Sequence, residues 1–346
     1  MAAACPEQRS PDTDHMTRPT PAIDSNAIFR SQNWINVLRE TYGYQLWNLR
    51  SQLTNSPPAF LPVLEVVSKL TGKRGIALPF TDTCEPICHN ITQFNDLIRQ
   101  LTELGKKRSW NYFELRGAQN FFQDTPPSTQ FYTHSLELDT DTDRLLKNLS
   151  SATRRNLNKA KKSALKIEQS TSLEALESFY KLQCLTRKRH GLPPQPIKFF
   201  RNIHQNLLSQ DMGFIVTATF ENRPIAACLY LHNTQHAVYK YGASDVSYQN
   251  LRANNLIMWH AINSYATKGY KSLDLGRSSL HHEGLRRFKL SWGCQENISS
   301  YFRFDLNKDH FTTSKDDTAG WHTRIFRALP IPLSRLAGSL LYRHIA

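Results

Sequence analysis

The sequence predicts an α+β protein of two similarly built halves, each a mixed, mostly antiparallel sheet flanked by helices. Short apolar runs separated by turn residues come in sets of three, and two such sets lie along the chain. Each set is preceded by helix and followed by further helix and strand in the same order. At 346 residues the chain is also long enough for two units of ordinary size, each with its own apolar core.

In the first half a helix opens at Phe29-Arg30-Ser31-Gln32-Asn33-Trp34 and runs to about Glu40, where Gly43 ends it. Strands follow at 44–50, 60–68 and 75–79, the last two joined by Thr71-Gly72-Lys73-Arg74, a turn with glycine available for positive φ. A helix over 91–104 and strands at 110–115 and 130–138 complete the set. In the second half Ser150 or Ser151 caps a helix running through Ile167, and a second helix covers 173–189. A third element at 197–209 follows the Pro193-Pro194-Gln195-Pro196 breaker. Strands are expected at 214–220, 225–232 and 237–241, with turns at Asn222-Arg223-Pro224 and Asn233-Thr234-Gln235. A helix over 256–267 closes at Gly269. Then come a strand at 270–275, a short helix at 283–290 and a last strand at 298–304.

Charge is divided unevenly. Residues 1–145 hold 14 Lys and Arg against 16 Asp and Glu, whereas residues 146–346 hold 29 against 13. A basic second half attracts phosphate-bearing partners, such as coenzyme A, a nucleotide-linked precursor, tRNA or an anionic membrane face; solvated surface charge is the alternative. The six cysteines show no disulfide rhythm and read as reduced thiols of a cytosolic protein. Residues 1–27 are polar and Pro-rich, a flexible lead rather than a signal peptide. No run reaches the roughly 18–20 apolar residues of a membrane span. The expected organisation is thus a tail over 1–27, units at 28–145 and 146–310, and a basic amphipathic tail over 311–346.

Chemistry concentrates after residue 146. On the 151–167 helix Leu157, Ala160, Ala164 and Ile167 make an apolar stripe. Arg155, Lys159, Lys162 and Lys166 fall nearly opposite, flanked by Arg154 and Lys161. Such a ridge repels itself, so it suits either a polyanion or a solvated outer face. Lys240-Tyr241-Gly242-Ala243-Ser244-Asp245 leads to Arg252, Asn254 and Asn255 at a helix start. There unpaired N–H groups and the helix dipole favour a phosphate; an ordinary strand-to-helix connection is the alternative. The densest cluster is Asp274-x-Gly276-Arg277 followed by Arg286-Arg287-Phe288-Lys289 and Trp292. Asp274 is placed to orient an amine or accept its proton, and Arg277 and Lys289 to hold phosphate or an oxyanion, unless Asp274 and Arg277 form a structural ion pair.

Other chemistries are poorly served. Cys84, Cys88 and His89 supply three ligands without a fourth nearby, so no metal is expected. His281-His282 lacks a third ligand of obvious spacing. Cys184 and Cys294 have no partner histidine in a recognisable frame, and no G-x-S-x-G elbow is present.

Taken together, several segments resemble the Fem-type branch of the GNAT acyltransferase superfamily. They are Phe29-x-Ser31-x-x-Trp34, Leu78-Pro79-Phe80-Thr81-Asp82, Ser151-x-x-Arg154-Arg155-Asn156 and Thr186-Arg187-x-Arg189-His190-Gly191-Leu192-Pro193. Tyr239-Lys240-Tyr241-Gly242-Ala243-Ser244-Asp245, Asp274-x-Gly276-Arg277 and Gly284-Leu285-Arg286-Arg287-Phe288-Lys289-x-x-Trp292-Gly293 complete the set, which spans about 28–305. That branch includes Fem aminoacyltransferases and acetyltransferases linked to cellulose and exopolysaccharide biosynthesis. The resemblance implies two tandem GNAT-like (acyl-CoA N-acyltransferase) domains with the active cleft in or beside the second. It implies direct attack of an amine on an activated acyl group, the amine belonging to a cell-envelope or exopolysaccharide precursor. Several Fem enzymes that use aminoacyl-tRNA carry a long charged hairpin absent here, which favours acyl-CoA as co-substrate. The 249–254 stretch matches the GNAT pyrophosphate loop only in part, since its glycines are missing.

The resulting assignment gives Asp274, Arg277, Arg287 and Lys289 to catalysis, and Arg252, Asn254 and Asn255 to the donor. Arg154, Arg155, Arg187, Tyr239, Tyr241 and Trp292 are given to the substrate. An aminoacyl-tRNA-dependent transferase and a non-catalytic module for RNA or anionic lipid are the rivals. At the carboxyl end Leu333, Leu336, Ala337, Leu340 and Leu341 form a helical stripe with Arg335 and Arg343 off it. That stripe suits either a membrane interface or the protein's own core, and with the first it places the protein peripherally on the cytoplasmic face.

Overall fold

The computed structural model describes residues 28–53, 57–122, 124–313 and 322–345; the expected N-terminal lead lies outside them. In the first half α1 (Gln32–Tyr42) begins where the Ser31 hydroxyl accepts the Trp34 N–H and stops at Gly43, whose φ is 75°. β1 (Gln45–Ser51), β2 (Ala59–Ser68) and β3 (Gly72–Ile76) form an antiparallel meander. α2 (Ile91–Lys107) crosses over, β4 (Tyr112–Arg116) returns parallel to β3, and β5 (Thr129–Glu137) follows. The second half opens with α3 (Thr142–Asn148), α4 (Ser151–Lys162), β6 (Lys166–Ser170), α5 (Leu173–Arg189) and α6 (Ile197–Asn206). It then repeats the first: a meander of β7 (Gly213–Phe220), β8 (Arg223–His232) and β9 (His236–Ser244), a crossover helix α7 (Ala253–Thr267), and β10 (Ser272–Ser279) parallel to β9. α8 (Glu283–Leu290), β11 (Gln295–Asp305), β12 (His310–Thr312), α9 (His322–Ala328) and α10 (Ile331–Leu341) finish the chain.

All strands join one sheet in the order β1-β2-β3-β4-β11-β5-β10-β9-β8-β7-β6, with β12 on β11. The duplicated pattern is present, yet its closing strands are exchanged. β11, from the second half, extends the first meander beside β4, and β5, from the first half, extends the second beside β10. β5 and β11 pair with each other and so weld the halves together. The weld is charged: Arg303 of β11 donates to Glu114 of β4 at 2.8 Å, and Arg116 does so at 3.0 Å. Burial alone would raise the Glu114 pKa, but Arg116 and Arg303 hold it below the usual 4.5.

The cores do not follow the halves. One apolar cluster joins Trp34, Ile35, Leu38 and Leu64 to Phe179, Phe199, Phe200 and Leu229 of the second half. The other gathers Leu157, Tyr230, Ile257, Tyr265 and Trp292, and reaches back to Leu136 and Leu145. Trp34 is fully buried, with its indole N–H on the Thr81 hydroxyl at 3.1 Å. Removing such a side chain costs on the order of 3–5 kcal/mol.

Several elements depart from the sequence pattern, among them the strand expected at 75–79, which lies at Gly72–Ile76 and so takes in most of its expected turn. The helix expected through Ile167 ends at Lys162, and the chain turns into edge strand β6. Leu157 and Ala160 remain the buried stripe, but Ala164 is exposed, and Lys166 and Ile167 leave the helix. At the carboxyl end α10 turns Ser334 and Gly338 inward, not the leucine stripe.

Because both apolar clusters draw on both halves and two strands are exchanged between them, the full chain should unfold in a single cooperative transition by circular dichroism, and residues 28–145 alone should lack a sigmoidal melt. Two separated transitions in the intact chain would contradict the shared core.

Candidate active site

The site forms where the parallel strands β9 and β10 part. They pair only over Ser272–His236, Leu273–Ala237 and Asp274–Val238. Beyond that level both strands bulge. On β9 the register against β8 shifts at Lys240; on β10 it shifts between Asp274 and Arg277, at Leu275 and Gly276. Gly276 has a φ of 72°, which only glycine adopts cheaply, and a Cβ there would lie 3.1 Å from the Asp82 carboxylate.

The β9 bulge re-aims three neighbours. Tyr239 and Tyr241 would share a face of a regular strand. With Lys240 inserted, Tyr239 packs on Tyr230 in one core and Tyr241 on Phe199 and Phe200 in the other. The Lys240 ammonium is left under a canopy of Phe29 and Trp34, at 4.5 and 5.2 Å, and donates to the Phe80 carbonyl at 2.7 Å. Burial lowers its pKa.

From the first half the loop after β3 reaches into this opening. Leu78 and Phe80 both take positive φ, and Asp82 follows. The Tyr301 hydroxyl donates to the Asp82 carbonyl at 2.6 Å and accepts from Arg277 Nη1 at 2.8 Å. Arg277 lies over the Phe131 ring at 4.2 Å, with its Nε 3.7 Å from the Asp82 carboxylate. Asp274 accepts the Gly276 N–H at 2.6 Å, and burial, then the nearby Asp82 charge, raises its pKa to about 6. Lys289 is buried, donates to the Gly276 and Arg277 carbonyls at 2.7 and 2.9 Å, and has a pKa lowered by burial to about 8.

Helix α8 is fixed by residues three apart. Lys289 holds the β10 bulge, and Arg286 grips Glu296 of β11 through two bonds of 2.8 and 2.9 Å. Glu296 also meets the buried His134 at 3.0 Å, opposite the bulge. Burial lowers the His134 pKa.

A second part of the site is a cleft of about 330 Å³ at the start of α7, lined by Asn156, Arg189, Ser244, Arg252, Asn254, Asn255 and Phe288 among others. Arg252 caps α7 with a φ of 57° and makes no side-chain cap, so the helix start is open. Its Nε is buried without a partner, a donor suited to an anion. Phe288 of α8 and Ser291 at its end line this cleft, and the intervening Lys289 points to the β10 bulge; neither Lys289 nor Arg277 is among the lining residues. Around it, Arg154 and Arg155 are exposed, and among the described residues no acid pairs with the α4 cations.

Six assigned residues take other places, Tyr239 and Tyr241 in the two cores being the first of them. Arg287 is 79% exposed beside Glu283, because α8 turns Arg286 and Lys289 inward. Trp292 is fully buried against Phe288 and serves the core. Arg187 donates to the Pro193 carbonyl and the Tyr342 hydroxyl, while Arg189, two positions on, lines the cleft. Lys289 faces backbone carbonyls and therefore secures the bulge. Asp82, Lys240, Tyr301 and His134 belong to the site but were not assigned to it. Asp82 and Lys240 stood in the Leu78–Asp82 and Tyr239–Asp245 segments without a role, and no spacing rule picks out Tyr301 or His134.

Among the described residues no group of three or more His, Cys, Asp or Glu is placed to hold a metal. The Cys84, Cys228 and Cys294 thiols are pushed up to about 12 by burial, so none is a thiolate nucleophile at neutral pH.

A family model described as an acetyltransferase (GNAT) domain matches residues 147–290. Comparison with curated protein sequences found no match. Among solved structures, FemX is similar over 82% of this chain and 93% of its own, with 14% identity and a TM-score of 0.66. The C-terminal domain of a putative lysylphosphatidylglycerol synthetase from Agrobacterium fabrum covers 79% of this chain and 87% of its own (14% identity, TM-score 0.53). A tandem GNAT protein from the clavulanic acid biosynthesis pathway covers the same shares, 79% and 87% (8% identity, TM-score 0.51). These likenesses establish a GNAT-like α+β fold, and the family match makes the chain an acyltransferase.

Two substitutions test the geometry. Gly276→Ala should cost about 1–2 kcal/mol by denaturant unfolding, since a left-handed φ is imposed on a Cβ. The Asp274 pKa lies above its ordinary 3.8, so the native state holds that proton more tightly and stability from this group falls as pH rises from about 4 to about 6. Asp274→Asn should therefore leave the Tm at pH 7 unchanged or higher; a clear fall would identify the carboxylate as a structural counter-ion of the two lysines.

Proposed function

We propose that the protein transfers an acyl group from acyl-CoA to an amine on a cell-envelope or exopolysaccharide precursor, by direct attack. The supporting observation is an uncapped helix start carrying Arg252 in a cleft of about 330 Å³, lined in part by Phe288 of the same α8 helix whose Lys289 fixes the β10 bulge beside Asp274. The open N–H groups of α7, Arg252, Asn254 and Arg189 suit the donor's phosphates. The parting strands suit the acyl arm between the cleft and Asp274.

In this mechanism the amine lone pair attacks the thioester carbonyl carbon. The carbon–sulfur bond breaks, the coenzyme leaves as its thiolate, and the attacking nitrogen's extra proton passes to Asp274. A pKa near 6 leaves Asp274 ionised at neutral pH yet basic enough to act. Arg277, held by Tyr301 and Phe131, orients the acceptor beside it. No covalent enzyme intermediate is needed, which agrees with the protonated buried thiols. The envelope acceptor rests on the Fem-type resemblance, and a peripheral place on an anionic membrane would suit it.

The unpaired α4 cations beside the cleft favour a second reading, an aminoacyl-tRNA donor. The two donors separate cleanly by calorimetry. Acetyl-CoA is expected to bind the intact protein and to bind Arg252→Ala at least about tenfold more weakly. Charged tRNA binding with a steep salt dependence, and no coenzyme A binding, would replace the first reading by the second.

Turnover with acyl-CoA should rise as pH passes about 6, following ionisation of Asp274. Asp274→Asn should lower kcat about 100-fold or more and abolish that rise. An unchanged pH profile in the variant would remove Asp274 from the chemistry.

A further inference from the structure

We infer that the carboxyl-terminal segment docks this protein on the surface of an anionic phospholipid bilayer, through an outward leucine face in a segment that carries exposed arginines and no acid. Helix α10 packs through Ile331 at its start and through small and polar residues, while Leu333, Leu336 and Leu340 take no part. Ser334 and Gly338 face inward, and a Cβ at Gly338 would collide with the Pro194 carbonyl oxygen. Arg335 lies over the Tyr180 ring at 5.3 Å. Beyond the helix, Tyr342 donates to the Pro193 carbonyl at 3.2 Å, and Tyr44, Thr71 and Arg74 hold the Arg343 and His344 carbonyls at 2.8–3.1 Å.

This packing leaves Leu333, Leu336 and Leu340 at 52, 57 and 61% exposure, on one side of the helix. Ile325 of α9 and Ile345 are exposed as well. The end of β2 and the turn after it, tied to His344 through Thr71, add exposed Val67 and Leu70. A helix meant only for the protein's own core would bury its leucines and show its serine and glycine to water. Here the order is reversed, and fixed so by polar ties.

Charge selects the occupant. Residues 322–345 contain Arg324, Arg327, Arg335 and Arg343, all exposed, and no acid; Lys69 and Lys73 flank Leu70 on the neighbouring turn. Leucines among unopposed cations match a lipid interface, where apolar side chains enter the acyl boundary and cations meet phosphate headgroups. No helix among the described residues is long and apolar enough to cross a membrane, so contact is with the surface. This inference does not depend on the acyl-transfer reading, and its test uses a different readout.

The full chain would be floated with phosphatidylcholine vesicles, with and without phosphatidylglycerol. Binding is expected only with phosphatidylglycerol. Leu333→Ser/Leu336→Ser/Leu340→Ser should lose about tenfold or more of the bound fraction while keeping its melting curve and its acetyl-CoA titration. Lys159→Ala/Lys161→Ala/Lys162→Ala on α4 should float like the parent. The inference is overturned if the parent stays in the lipid-free fraction or the leucine variant floats undiminished. It is equally overturned if the α4 variant alone loses binding, or if sedimentation shows a dimer that the leucine variant dissolves.

Discussion

Several charged groups, Asp82, Lys240, Asp274 and Lys289 among them, are withdrawn from water at one point, and the rest of the molecule is arranged so that they can be. Removing charge from solvent is costly unless opposite charge and hydrogen bonds stand close by. Here the lysines each hold a backbone carbonyl, the carboxylates face them, and aromatic rings cover the remainder. The balance is incomplete, which is why Asp274 titrates near neutrality while Lys289 is drawn down towards it. Residual imbalance of this kind is what acid–base chemistry at an amine needs.

No single half could maintain that arrangement. Asp82 arrives from the first meander, Lys240 and Asp274 from the second, and Tyr301 from a strand that has crossed into the first sheet. The exchanged strands fix the distance between these suppliers, since β11 pairs with β4 and β5 over successive residues on both sides. The strand bulges then turn the side chains at the right level. Duplication gives two frameworks, but only the second keeps an open helix start; α2 of the first is capped by the Asn90 side chain.

Local signals carried much of the fold. Helices over 173–189 and 283–290 fall where periodicity put them, and the Asn233-Thr234-Gln235 turn joins β8 to β9 as expected, whereas β3 and β8 begin inside the turns expected before them. The failure at α4 is instructive: Ser163 and Ala164 continue a helical pattern, but pairing with β7 offers Lys166–Ser170 a ladder that periodicity cannot anticipate. In the candidate site, Arg252, Asp274 and Arg277 stood out in the sequence because each sits beside a break in regular structure that small residues announce. Lys240 and Tyr301 were missed because their roles depend on partners more than 150 residues away. Tyr239, Tyr241 and Trp292 looked like cleft aromatics; a single inserted residue sends the first two to opposite cores, a shift that composition does not reveal. Arg187 and Arg189 show the same limit, since neighbouring cations on one helix serve different surfaces.

Strand exchange also sets an order of assembly during translation. When the ribosome has delivered β1 through β5, β4 has one bare edge and β5 has no partner on either side, because both neighbours lie near the other end of the message. Such edges invite pairing with foreign chains. The nascent protein must pass through a prolonged open stage, with the candidate site among the last regions to close, and its yield in the cell should depend on how well that waiting edge is chaperoned.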